Sequence, residues 1–88
     1  MYNHQTWIKE TDPYKLKQIF ARRLNRASFK VLDILEHHFQ PYGYTCIFLL
    51  SESHLALHTF PEEQKTYVEL SSCVLDKHIK YLQLFGNE

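Results

Sequence analysis

Three groups of residues in this 88-residue sequence have the types and spacing to do chemistry. They are His37-His38-Phe39, the stretch from Glu52 to Glu62 (Glu52-Ser53-His54-Leu55-Ala56-Leu57-His58-Thr59-Phe60-Pro61-Glu62), and Cys73. His54 and His58 lie four apart, the spacing at which two histidines on a helix meet one metal ion. Leu55, Leu57 and Thr59 alternate like a strand, however, which sets the two imidazoles roughly 13 Å apart. No metal site is therefore expected. Cys73 with His58 or His78 forms a second candidate, a thiol activated by a neighbouring base. A free cysteine is more often inert core than nucleophile, and the sequence leaves both readings open. Taken singly, each histidine also suits the polar face of a half-exposed sheet.

The elements that must position these residues follow from periodicity. Asp12-Pro13 pairs an N-capping carboxylate with proline at the first helical position. Leu16, Ile19, Phe20 and Leu24 then recur at helical spacing, predicting a helix over Pro13–Arg26. From Ser28 the pattern turns to β-branched and alternating residues. Phe29 and Val31 share one parity and Leu32 and Ile34 the other, which predicts a bulge. Pro41-Tyr42-Gly43 marks a turn, and the apolar run Tyr44–Leu50 suits a central strand covered on both faces. Ser53–Phe60 and Tyr67–Cys73 read as further strands, separated by Pro61 and a polar stretch. Asp76 is placed to cap a last helix with Ile79 and Leu82 pointing inward, and His4–Lys9 suggests a first strand. The implied fold class is α+β: a two-layer sandwich with helices on one face of a mostly antiparallel sheet.

Composition narrows the function classes. Ten Lys and Arg balance ten Asp and Glu, without the basic excess of a nucleic-acid or anionic-membrane binder. Lys15, Lys17, Arg22, Arg23 and Arg26 read as the solvated face of the first helix rather than a phosphate site. Two cysteines do not make a disulfide framework, no signal-peptide pattern opens the sequence, and no apolar run approaches a membrane span. The expected compartment is the cytoplasm. The expected organisation is a single domain over residues 1–88, small enough that a partner chain is a reasonable expectation.

Taken together, the motifs are more specific than their parts. His37-His38-Phe39-Gln40-Pro41-Tyr42-Gly43, Ser51-Glu52-Ser53-His54, His58-Thr59-Phe60-Pro61-Glu62 and Cys73 resemble, without gaps, the core signature of the bacterial and archaeal S-adenosylmethionine decarboxylases. The resemblance implies self-cleavage at Glu52–Ser53, with Ser53 becoming a covalent pyruvoyl cofactor that forms a Schiff base with S-adenosylmethionine and supports decarboxylation for polyamine and spermidine synthesis. It further implies that His58 acts in the elimination step of processing, Thr45 assists it where the family usually has serine, and Cys73 donates the proton after CO₂ leaves. Phe39 would stack on adenine, and Glu62 would hold the ribose hydroxyls.

Departures from the pattern bear on these roles. Val74 replaces the family's glycine and Phe60 its tryptophan, the segment around Trp7 lacks the usual Glu-rich strand, and the sequence stops at Glu88, where a further strand is expected. Loss of that strand would expose a sheet edge or call for another partner. Two alternatives remain at this stage: a pyruvoyl decarboxylase of arginine or ornithine, and an unprocessed, inactive relative serving as a binding or regulatory subunit. Ser53 and His58, five residues apart, face opposite sides of a regular strand. This predicts either a homodimer whose sites are shared between subunits, as the resemblance also implies, or a bulge near Ser53.

Overall fold

The first helix forms as its capping signals dictate. In the computed structural model, which describes residues 1–86, α1 spans Pro13–Arg26. The Asp12 carboxylate accepts the Lys15 N–H at 3.0 Å, which satisfies one of the orphan donors of the first turn. Leu16, Phe20 and Leu24 are fully buried and carry most of the apolar contribution of this helix, with Ile19 and Ala21 partly buried against the same core. At its end the Phe29 N–H reaches the Leu24 carbonyl at 2.9 Å while Ser28 adopts φ 71°. This is a Schellman termination with serine in the position glycine usually takes. Because Ser28 and Phe29 are used there, the following strand starts at Val31 and not at Ser28.

Five strands make one antiparallel sheet in the order β1-β5-β4-β3-β2. They are β1 (Tyr2–Ile8), β2 (Val31–His38), β3 (Tyr44–Leu50), β4 (Ser53–Phe60) and β5 (Lys65–Ser72). The expected irregularity in β2 is present as a register shift between Val31 and Asp33. The β3 and β4 bounds match those read from the sequence. β5 starts two residues early, because Lys65 and Thr66 still pair with Phe60 and Thr59. It ends at Ser72, leaving Cys73 in the bend before α2 (Leu75–Gly86).

Both helices pack on the same face. Leu16, Phe20, Leu24 and Tyr81 share one core with Tyr44, Cys46, Phe48, Leu50, Leu55, Leu57, Val68 and Leu70. The expectation that β3 is covered on both faces is corrected here. Its second face carries Thr45, Ile47 and Leu49, and Leu49 is 50 % exposed beside a 68 % exposed Leu35. One helical layer can cover only one side of a sheet, so the other side stands open. In α2 the inward side chains are His78 and Tyr81, with Leu82 partly buried. Ile79 is instead 44 % exposed, on the side of α2 turned away from the sheet, and Asp76 sits within the first turn rather than capping it, since the helix begins at Leu75. No described helix is long and apolar enough to cross a membrane.

A histidine pair lies between β1 and α2. The His4 ring meets Tyr81 and Phe85 edge-on, and the His78 ring lies 5.8 Å from Tyr2. The Nδ1 atoms of both histidines are buried without a hydrogen-bond partner. Burial lowers the pKa of each, and for His78 the nearby His4 charge lowers it further. The unfolded chain therefore takes up protons first as pH falls through about 6.5. The stability held by the neutral pair is complete above that value and is lost toward the lower folded pKa values. The urea midpoint of wild-type protein should fall between about pH 7.5 and pH 5, and a His4→Phe/His78→Phe variant should show a smaller fall. Equal falls would assign the titration to other groups.

Candidate active site

At one end of the sheet the β2–β3 connection folds back on itself. The Phe39 N–H donates to the Gly43 carbonyl at 2.8 Å, and Gly43 holds φ +111°, a conformation that L side chains rarely adopt. The Tyr44 N–H donates to Thr59 Oγ1 at 2.8 Å, fixing this turn to β4. Beyond β4, Pro61–Glu63 form a 3₁₀ turn closed by Gln64 at φ 56°. The result is a cavity of about 290 Å³ with Phe39, Thr45, His58, Phe60 and Glu62 in its wall. Within it, Thr45 Oγ1 and His58 Nδ1 are hydrogen-bonded at 3.0 Å.

Beneath this cavity, on the helix side, the Tyr44 hydroxyl donates to Glu36 at 2.6 Å and Lys17 pairs with the same carboxylate at 3.1 Å. The Tyr44 hydrogen bond, followed by that from Lys17, lowers the Glu36 pKa. Burial, reinforced by Glu36, raises that of Tyr44. Tyr44 thus remains a neutral strut. Cys46, fully buried in the core, has its thiol pKa pushed up by desolvation, the signature of an inert cysteine.

The opposite end of the sheet carries the other candidates. Leu50 and Ser53 pair directly, so Ser51-Glu52 is a two-residue hairpin loop with Glu52 at φ 68°. A residue with a Cβ is held there at a cost of about 1 kcal/mol. Ser53 is 8 % exposed, and its Oγ accepts the Cys73 N–H at 3.4 Å. Cys73 itself is exposed. Neither Cys73 nor Val74 has positive φ, so valine is accommodated where the family's glycine was expected.

The predicted site residues thus fall into two groups: Phe39, Thr45, His58 and Glu62 at one end, and Glu52, Ser53 and Cys73 at the other. β4 pairs without interruption with β3 and β5, so the bulge considered near Ser53 is absent. Ser53 and His58 are separated by roughly 17 Å of strand and face opposite sides. His54 and His58 share the open face of this regular strand, at the separation that argued against a shared metal. Sequence reasoning missed Tyr67, which stacks on His58 with ring centroids 6.4 Å apart, and Trp7, which packs against Tyr67 at 5.3 Å.

Comparison with known proteins defines the class. The family model for S-adenosylmethionine decarboxylase matches residues 7–84. The chain belongs to the S-adenosylmethionine decarboxylase family. It is 35 % identical over 65 residues to an S-adenosylmethionine decarboxylase proenzyme of Prochlorococcus marinus, covering 74 % of this chain and 52 % of that protein. Over 43 residues it is 46 % identical to the S-adenosylmethionine decarboxylase proenzyme 2 of Bacillus cereus, covering 49 % of this chain and 35 % of the relative. The chain spans about half the length, or less, of these curated relatives. The fold is similar to the crystal structure of the adenosylmethionine decarboxylase from Aquifex aeolicus, with TM-score 0.72 and 19 % identity, over 92 % of this chain and 72 % of that one.

The hairpin geometry is open to direct measurement. In a Ser53→Ala background, Glu52→Gly should raise the unfolding free energy by about 0.5–1 kcal/mol, since glycine relieves the left-handed strain but adds unfolded-state entropy. An unchanged or lower stability would show that the turn stores no strain.

Proposed function

We propose that this chain is a pyruvoyl-dependent S-adenosylmethionine decarboxylase whose active site is assembled from two copies. One observation carries the reading: the motif residues divide between opposite ends of one sheet, and the sheet presents an uncovered apolar face. Leu35, Ile47 and Leu49 lie on that face around a depression of about 260 Å³. A two-fold axis packing open face on open face with strands opposed would bring the hairpin end of each copy to the cavity end of the other. Ser53 points to the helix side of its own sheet, so as first residue of β4 it would have to turn toward the partner once its backbone nitrogen is released from Glu52. Each site would then combine Ser53 and Cys73 with the partner's His58, the partner's Thr45, the partner's Phe39 and the partner's Glu62.

The residues present fit formation of the group. Ser53 Oγ is adjacent to the Glu52 carbonyl in a strained two-residue turn. Attack of Oγ on that carbonyl carbon forms a C–O bond as the C–N bond breaks, and the hydroxyl proton passes to the freed amine. The partner's His58 takes the Ser53 α-proton, and the electrons of that bond expel the Glu52 carboxylate from Cβ. Hydrolysis with loss of ammonia leaves a ketone on the new N-terminus. For this base role His58 Nδ1–H donates to Thr45, which leaves Nε2 with its lone pair. Once in place, the pyruvoyl group supplies an electron sink at the substrate amine. Cys73, whose N–H contacts Ser53, would return the proton after CO₂ leaves. Phe39 and Glu62 share the cavity, where the aromatic face would stack on adenine and the carboxylate would take the two ribose hydroxyls, the roles that the family resemblance implies. The cytoplasm is the compartment we assign to this reaction.

Intact-mass analysis is the first test. Wild-type protein should split at Glu52–Ser53 into two pieces, the second with a blocked N-terminus, while Ser53→Ala stays whole. A wild-type chain that remains whole after prolonged incubation at neutral pH would defeat the enzyme reading and leave a binding role. The shared site is tested by mixing Ser53→Ala with His58→Ala subunits, each inert alone. Half of the sites in mixed dimers would then hold Ser53 and His58 intact and should mature. No recovery when native mass spectrometry shows mixed dimers would mean that sites are not shared.

A further inference from the structure

Thr45, His58, Tyr67 and Trp7 occupy successive register positions across β3, β4, β5 and β1: Thr45 opposite His58, His58 opposite Tyr67, Tyr67 opposite Trp7. All four lie on the open face, so their side chains stand side by side in one row. The contacts run continuously along it. Thr45 Oγ1 holds His58 Nδ1 at 3.0 Å. Tyr67 lies on the other side of the imidazole with its ring tilted only 21° from it, within the range of offset stacking. Trp7 braces Tyr67 from behind and is itself covered by Phe60 at 5.7 Å and by the Lys65 ammonium 4.3 Å from its ring centroid.

The single hydrogen bond between His58 Nδ1 and Thr45 Oγ1 tethers the imidazole loosely at one edge and still lets the ring rock about that contact. A second constraint on the ring face removes this freedom. With Nδ1 occupied by Thr45, Nε2 is the nitrogen left for proton transfer, and its direction is set by the ring plane. We propose that Tyr67 is a positioning residue for His58, its ring fixing the imidazole plane so that Nε2 is presented in one direction. The inference rests on the role given to His58 above, and extends it to a residue outside the motifs that carry the family resemblance. Trp7 acts one step further out, by holding Tyr67.

Nuclear magnetic resonance of the His58 imidazole in the uncleaved Ser53→Ala protein tests the geometry without any turnover. Wild-type Tyr67 should impose a ring-current shift on the His58 carbon-bound protons and one dominant tautomer. Tyr67→Leu, with Tyr67→Thr as a second strand-compatible replacement, should lose the shift and mix the tautomers, while Tyr67→Phe keeps both. His58 signals unchanged in a folded Tyr67→Leu or Tyr67→Thr protein would overturn the proposal. In the Ser53 protein, either replacement should slow self-cleavage by about tenfold to a hundredfold and displace its pH profile, and Tyr67→Phe should restore both. Wild-type rate and profile in Tyr67→Leu would equally overturn it. If the wild-type chain does not cleave, the decarboxylase reading fails, and the imidazole spectra still decide whether Tyr67 orients His58.

Discussion

A regular strand turns successive side chains to opposite faces, and everything distinctive about this site follows from that constraint acting on β4. Ser53 and His58 are an odd number of residues apart. With unbroken pairing on both sides of the strand, nothing rotates one of them to the face of the other. The same alternation sends Leu55, Leu57 and Thr59 into the helical layer and leaves His54, Ala56 and His58 on the open side. A core that needs every second residue of β4 thus dictates where chemistry can stand. The two ends of the strand carry the two separate groups of motif residues.

The open face is consistent in composition with this arrangement. On the β2–β3 side it shows Leu35, Ile47 and Leu49, while on the β1–β5 side Gln5 donates to Glu69 at 3.2 Å. The first group gains from being removed from water; the second already has partners of its own. An uncovered apolar patch beside this cavity is what the proposed second copy would cover.

Much of the fold was readable because the sequence states its boundaries locally. Asp12-Pro13 announces the start of α1, and proline after Phe60 ends β4. What could not be read was anything depending on layer coverage. An apolar run such as Tyr44–Leu50 looks the same whether one face or both are covered, and only the placement of both helices on one side decides it. Ile79 was misplaced because apolar type alone does not decide which stripe of α2 faces the sheet, and the buried positions here are His78 and Tyr81, residues that carry polar atoms. Ser28 hid its left-handed termination because the residue is not glycine. Tyr67 went unnoticed because its partner is fixed by hairpin register. Once Phe60 and Lys65 are known to pair, counting outward along both strands places Tyr67 opposite His58.

The sheet order would also let such a fold tolerate the proposed break between Glu52 and Ser53. The upstream piece would carry β1, α1, β2 and β3, and the downstream piece β4, β5 and α2. In the sheet these do not lie side by side as two blocks. The β4–β5 hairpin sits between β3 and β1, so both of its outer edges are paired with strands of the upstream piece. The core is shared in the same way, with Phe20 of α1 and Tyr81 of α2 in one cluster. Separating the pieces would strip two strand pairings and the helical layer at once, whereas the scissile bond lies in a two-residue turn that contributes no core side chain. A chain cut there as proposed would keep its architecture, and Ser53 would become a strand terminus free of the strained turn while still held through its neighbours in β3 and β5.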